Sequence, residues 1–207
     1  RLTMQAFGPY PGREVVDFRH AVEAGVFGIY GQTGSGKSTL FSAMTFALFG
    51  QASRHDQEAP TLRSDHAEPG VATEVEFVFD IGEKRYVATR QPDQLRPKQR
   101  GAGETKSPHE AHLFDATGLT LNEIRHDKRG TILAEKKVRD VDDAIKGLLG
   151  YGPEQFRQIV LLPQGRFETF LAAKTRERLD ILRELFDVSL YRNLAAHLKR
   201  EADEAEK

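Results

Sequence analysis

Hydrophobic and polar positions alternate at the start of the chain. Leu2, Met4 and Ala6 share one face, "GPYPG" reads as a turn, and "REVVDF" resumes an extended pattern, so a strand pair is expected. Residues 25–30, "GVFGIY", are a short apolar run with aromatic and β-branched members, which predicts a buried strand. Residues 31–36 follow as a loop, and a helix is expected from about Lys37 to Phe49. Its apolar residues (Leu40, Phe41, Ala43, Met44, Phe46, Ala47, Leu48) lie on every face, so it must be enclosed by protein. Gly50 ends it.

The segment "EVEFVFDIGEKRYVATRQ" sets Val75, Phe77 and Phe79 against Glu74, Glu76 and Asp80, turns at residues 81–84 and returns with Tyr86 and Val87, the pattern of a half-exposed hairpin. Residues 91–107 are rich in Pro, Gly and Gln and poor in apolar side chains, so they read as a loop between strands. "HEAHLFDA" and "GTILAE" resume short strands, and Val138, Val141, Ile145, Leu148 and Leu149 fall at helical spacing. "GPEQFRQIVLLPQG" predicts a helical turn and then an apolar run broken by Pro163. Beyond Gly165 no Gly or Pro occurs. Leu179, Leu182, Leu185 and Phe186 form one helical stripe, and Ser189 can cap a final helix carrying Leu190, Leu194 and Leu198. The closing "KREADEAEK" has nothing large to bury and predicts a solvated, projecting helix.

Composition narrows the class. A chain of 207 residues, 39% hydrophobic and 29% charged, can bury one good core or two small ones, which points to a single soluble domain with embellishments. The absence of cysteine excludes disulfides and thiolate metal sites and fits a reducing compartment. No apolar run is long enough to cross a bilayer, and "RLTMQAFGPY" lacks signal-peptide character, so neither a membrane nor secretion is expected. A net charge of -1 gives no global attraction to nucleic acid; any such surface must be local, with "RQPDQLRPKQR" and "RHDKR" as the available basic patches.

The glycine-rich loop carries the chemistry. Gly31, Gln32, Thr33, Gly34, Ser35, Gly36, Lys37 and Ser38 fit G-x-x-x-x-G-K-[ST], between an expected strand and a helix. Gly34 and Gly36 allow backbone angles and a close approach that side chains would block, so successive N–H groups can turn toward phosphates. The helix that begins there adds its positive end, with Thr39 in its first turn. Lys37 supplies a cation for the β- and γ-phosphates, worth about 4 kcal/mol at about 4 Å and an effective dielectric of about 20, before desolvation. Ser38 offers a hydroxyl to Mg²⁺. The ligand implied by the loop is a nucleoside triphosphate with Mg²⁺.

A phosphate loop alone does not choose among a small-molecule kinase, a switch GTPase and an ABC-type ATPase. Kinases and GTPases need an acidic residue at the end of a later buried strand. The one close candidate, Asp80, ends an alternating, half-wet strand beside hairpin residues, and there is no N-K-x-D for guanine. A stand-alone nucleotide-sized kinase and a chromosome-condensation ATPase without a nuclease partner stay open as alternatives.

Taken together, "MQAFGPYPGREVVDF", "GIYGQTGSGKSTLFSAMTFALFG", "LRSD", "IVLLPQGRFETFLAAKTRERLDILRELF" and the charged last helix resemble the amino-terminal half of the SbcC family, which belongs with the chromosome-maintenance ATPases of double-strand-break repair. The resemblance implies an α/β fold: the amino-terminal lobe of a P-loop, ABC-type ATPase head over residues 1–188, with an added antiparallel β-subdomain. Residues 189–207 would then start the projecting coiled-coil helix. It implies that Gln164 is the Q-loop glutamine that contacts Mg²⁺ and senses the γ-phosphate, and that Arg63 and Ser64 of "LRSD" touch the nucleotide. Where some relatives carry an arginine after the first-strand phenylalanine, this chain has Phe7-Gly8-Pro9, which puts that side-chain contact in doubt.

No S-G-G signature and no acidic strand motif follow, so no catalytic residue is assigned within this chain. The implied partners are the carboxy-terminal half of the same head, a second head in an ATP-dependent dimer, the SbcD nuclease near the coiled-coil root, and double-stranded DNA. The implied place is the cytoplasm, at the nucleoid.

Overall fold

The amino-terminal alternation becomes two antiparallel strands, β1 (Leu2–Phe7) and β2 (Tyr10–Val16), joined by a tight turn at Gly8 and Pro9. A bulge lies at Ala6, whose φ of 49° is left-handed for a residue with a side chain, and the strand register shifts across it. The computed structural model describes residues 1–51, 62–97, 103–135 and 137–159; contacts divide the chain into two compact units, residues 1–150 and 151–207.

In the first unit, β1 also pairs with β3 (Glu74–Ile81), which forms the expected hairpin with β4 (Lys84–Gln91). β7 (Glu110–Asp115) and β8 (Thr131–Glu135) extend it, giving one antiparallel sheet in the order β2-β1-β3-β4-β7-β8. One face receives α2 (Lys37–Phe49), the helix predicted to be enclosed. Leu40, Ala43, Phe46 and Ala47 pack on Leu2, Met4, Phe7 and Val75, forming a core cluster. Full burial of a large apolar side chain contributes about 1.5–3 kcal/mol, so this seam is a substantial source of stability for the first unit. Gly50 closes the helix in the left-handed conformation, its N–H donating to the Phe46 carbonyl.

The other face is covered by the loop that follows β7. Ile124, with Leu119 and Leu121, packs on Val78 and Val87. The Arg1 guanidinium donates to the carbonyls of Leu121 and Ile124 and to Glu76, and Arg129 donates to Glu76 and Glu74, so two carboxylates on β3 are neutralised from that loop and from the chain start. α3 (Val138–Leu149) places Val141 and Ile145 inward, as its spacing predicts, and ends at a left-handed Gly150.

Three features differ from the pattern-based expectation. Residues 25–30 are open chain and not a buried strand: Val26 is 88% and Tyr30 94% exposed. An apolar run becomes a strand only when another strand offers hydrogen bonds, and the described residues offer none there. Residues 91–107, expected as a loop, include a short antiparallel ladder, β5 (Gln94–Pro97) with β6 (Glu104–Ser107). A short helix, α1 (Arg19–Ala24), precedes residues 25–30 and has no clear sequence signal.

In the second unit, α4 (Pro153–Ile159) matches the expected helical turn, with proline at its first position and the side-chain Oε1 of Gln155 accepting from the Gly152 N–H. Tyr151 stacks on Phe156. Gln164, the boundary at 188/189 and the final helix lie outside the described residues.

Candidate phosphate-binding site

The loop ahead of α2 has the backbone that its glycines anticipate. Gly34 and Gly36 stand at φ 86° and 89°, the left-handed region that a side chain disfavours. A turn is closed by the Ser35 N–H on the Gln32 carbonyl at 3.2 Å, and the Thr39 N–H returns to the Gly36 carbonyl at 2.9 Å. At Gly31 a Cβ would come within 2.8 Å of Ser35 Oγ, so the loop folds tightly on itself.

Lys37 lies across this loop, its Nζ donating to the carbonyls of Gly31 at 2.8 Å and Gln32 at 2.7 Å. An ammonium has three donors, so one is left for an anion. α2 starts at Lys37 behind Gly36 as N-cap, with no side-chain cap and no acidic residue in its first turn. Its positive end and first N–H groups are therefore not answered by a carboxylate of its own. Ser38 follows Lys37 in the first turn of α2, with Thr39 next.

The opposite end of α2 is answered from the sheet. The helix has no base in its last turn, but Arg90 of β4, 1% exposed, donates through Nε to the Ala47 carbonyl and through Nη2 to that of Leu48, both at 2.9 Å. The same Nη2 meets Asp142 of α3. Burial pushes the Arg90 guanidinium down and Asp142 opposes the shift. One cation thus joins the phosphate-loop helix, the sheet and α3. His109 stacks on Phe46 close by; burial, then Arg90, lower its pKa.

The "LRSD" segment is zipped to the end of β1. Phe7 and Arg63 form a bridge, the Gly8 N–H donates to the Leu62 carbonyl, and the Ser64 N–H donates to that of Ala6. The Arg63 guanidinium donates to the carbonyls of Glu68 and Val71 and to Thr73 Oγ1, and Ser64 is 2% exposed. Both residues are brought beside the β1–β2 tip, with Arg63 spanning the turn that follows. That tip reaches the phosphate loop: the Tyr10 hydroxyl donates to the Ser35 carbonyl at 3.3 Å. The sequence signals for Tyr10 and Arg90 are weak, an aromatic in a turn and a charge on the inward face of β4.

Asp80 sits in the hairpin, opposite Arg85, which grips it through two nitrogens at 2.8 Å and holds its carboxyl below the usual carboxylate range. Among the described residues no group of three or more acidic or imidazole side chains is arranged to hold a metal ion.

A family model described as an AAA domain matches residues 1–207. Among curated proteins, the chain is similar to the SbcC component of nuclease SbcCD from Vibrio cholerae, 39% identical over 99% of this chain and 20% of the relative. It is also similar to the proteins of that name from Lactococcus lactis, 36% identical over 98% of this chain and 18% of the relative, and Staphylococcus saprophyticus, 33% over 99% and 19%. The chain spans about a fifth of the length of these relatives. Its mixed α/β architecture, with an antiparallel sheet against a phosphate-loop helix, is that of the amino-terminal lobe of a P-loop ATPase. The chain belongs to the AAA domain family.

Proposed function

We propose that this chain is the ATP-binding amino-terminal lobe of an SbcC-like head in a DNA double-strand-break-repair nuclease complex. The observation that carries the reading is the phosphate loop itself: two left-handed glycines, a lysine folded over the loop with a donor to spare, and an uncapped helix start. Such an arrangement suits a polyphosphate. The names of the relatives favour a nuclease-complex ATPase over a stand-alone kinase.

Gly31 to Thr39 cradle the phosphates, Ser38 and Gln164 would hold Mg²⁺, and Arg63 and Ser64 lie on the side of the site next to the β1–β2 tip. A Mg²⁺ ion held there would supply charge neutralisation to the phosphates. Lys37 orients the β- and γ-phosphates while the glycine amides fix their direction. The role of Gln164 comes from its motif. Gln164→Ala is expected to keep ATP binding but impair ATP-dependent dimerisation, measured by light scattering with and without ATP; unchanged dimerisation would remove the assignment.

The residues that activate water come from elsewhere: the carboxy-terminal part of the same protein completes the head, and a second head completes the site. ATP then closes two heads on double-stranded DNA, and closure regulates the SbcD nuclease. The apolar segment before the phosphate loop supports a missing neighbour. Val22, Val26, Phe27 and Tyr30 are more than half exposed, and a groove of about 710 Å³ lined by Phe18, Phe77, Phe79 and Leu121 runs beside it. No helix among the described residues is long and apolar enough to cross a membrane.

The test is reconstitution. This lobe alone is expected to hydrolyse ATP poorly, and addition of the carboxy-terminal part should restore steady-state turnover. Turnover by the lobe alone with a phosphoryl acceptor would sink the half-head reading and favour a kinase.

A further inference from the structure

The tip of the β1–β2 hairpin fits against the phosphate loop at two places where a Cβ is missing. A Cβ on Gly36 would stand 2.5 Å from the Tyr10 hydroxyl and 2.8 Å from Pro9 Cγ; one on Gly8 would stand 2.7 Å from Thr39 Cγ2. The contact therefore depends on glycine from both sides. The tip is fixed in direction by the bulge at Ala6 and by the Gly8 N–H on the Leu62 carbonyl. From it, the Tyr10 hydroxyl reaches the Ser35 carbonyl. Burial, and then the Glu14 carboxylate, raise the Tyr10 pKa, which keeps the phenol protonated and a donor.

The peptide between Ser35 and Gly36 is trans, so its C=O and N–H point in opposite directions. Holding the Ser35 oxygen toward the hairpin aims the Gly36 N–H to the other side of the loop. In a loop of this kind it is the outward row of N–H groups that reads a phosphate. Resting on the nucleotide-binding reading above, we infer that Tyr10 is a positioning residue of the site: it grips the Ser35 carbonyl from behind and sets the aim of the Gly36 amide at a bound phosphate. Tyr10 acts on the phosphates through the loop and not on the base.

The experiment measures ATP, ADP and adenosine binding by calorimetry in the full-length protein, with wild type, Tyr10→Phe and Tyr10→Leu, alongside thermal unfolding with and without ATP. Tyr10→Phe removes the hydroxyl and keeps the ring. It is expected to weaken ATP and ADP about 2- to 10-fold, the range of one neutral hydrogen bond, while leaving adenosine unaffected. Its melting temperature without nucleotide should stay at the wild-type value and its ATP-induced rise should shrink, a pattern a merely structural role would not give. Wild-type affinity in Tyr10→Phe would overturn the inference. So would normal ATP binding in Tyr10→Phe with loss of adenosine binding in Tyr10→Leu, which would assign the ring to the base. If the wild-type protein binds no ATP, the nucleotide reading falls and this inference falls with it.

Discussion

Lys37→Ala is expected to abolish ATP binding to the full-length protein, with a loss of up to about a thousandfold in affinity. The upper limit follows from charge: about 4 kcal/mol between a lysine ammonium and a phosphate at about 4 Å, before desolvation, is nearly three decades in a dissociation constant. The structure adds a second reason. Lys37 Nζ ties the Gly31 and Gln32 carbonyls together at 2.8 and 2.7 Å, so alanine also releases the entrance of the loop. The core side of α2 is untouched, because Leu40, Ala43, Phe46 and Ala47 keep their packing; the variant should therefore melt like wild type in the absence of nucleotide. Calorimetric titration with ATP checks it, and an affinity within tenfold of wild type would contradict the role assigned to Lys37.

What is legible in the sequence is local. The β3–β4 hairpin follows from the alternation of Val75, Phe77 and Phe79 with charged residues, and α2 from its apolar run closed by Gly50, because each depends on neighbours a few positions away. The loop glycines are legible for the same reason, since a left-handed φ is a property of one residue. Residues 25–30 mislead because a strand is a relation between distant segments. Val26 and Tyr30 carry strand-like side chains, yet stand exposed with no strand beside them among the described residues. Tyr10 and Arg90 escape notice because their roles exist only after the sheet has formed: one reaches Ser35 25 positions on, the other reaches Ala47 43 positions back.

Arg90 gives the largest expected effect on stability. Arg90→Ala leaves the Ala47 and Leu48 carbonyls without their donors and Asp142 without its cation, and it opens a cavity where an arginine side chain was fully enclosed. Removing one partner from a buried ionic network costs about 3–5 kcal/mol. Asp142→Asn should cost only about 1 kcal/mol, because that side chain is 38% exposed and its partner keeps the two carbonyls. The asymmetry is the informative part. If Arg90 were held chiefly by its ion pair, the two variants would lose similar amounts; if it serves the carboxyl end of α2, the arginine variant loses far more. Urea unfolding followed by circular dichroism separates the cases, and equal midpoints for the two variants would refute the role of Arg90 as the cation of the helix end. Since the start of the same helix carries Lys37 and the phosphate loop, the arginine that stabilises one end also fixes the position from which the other can bind phosphate.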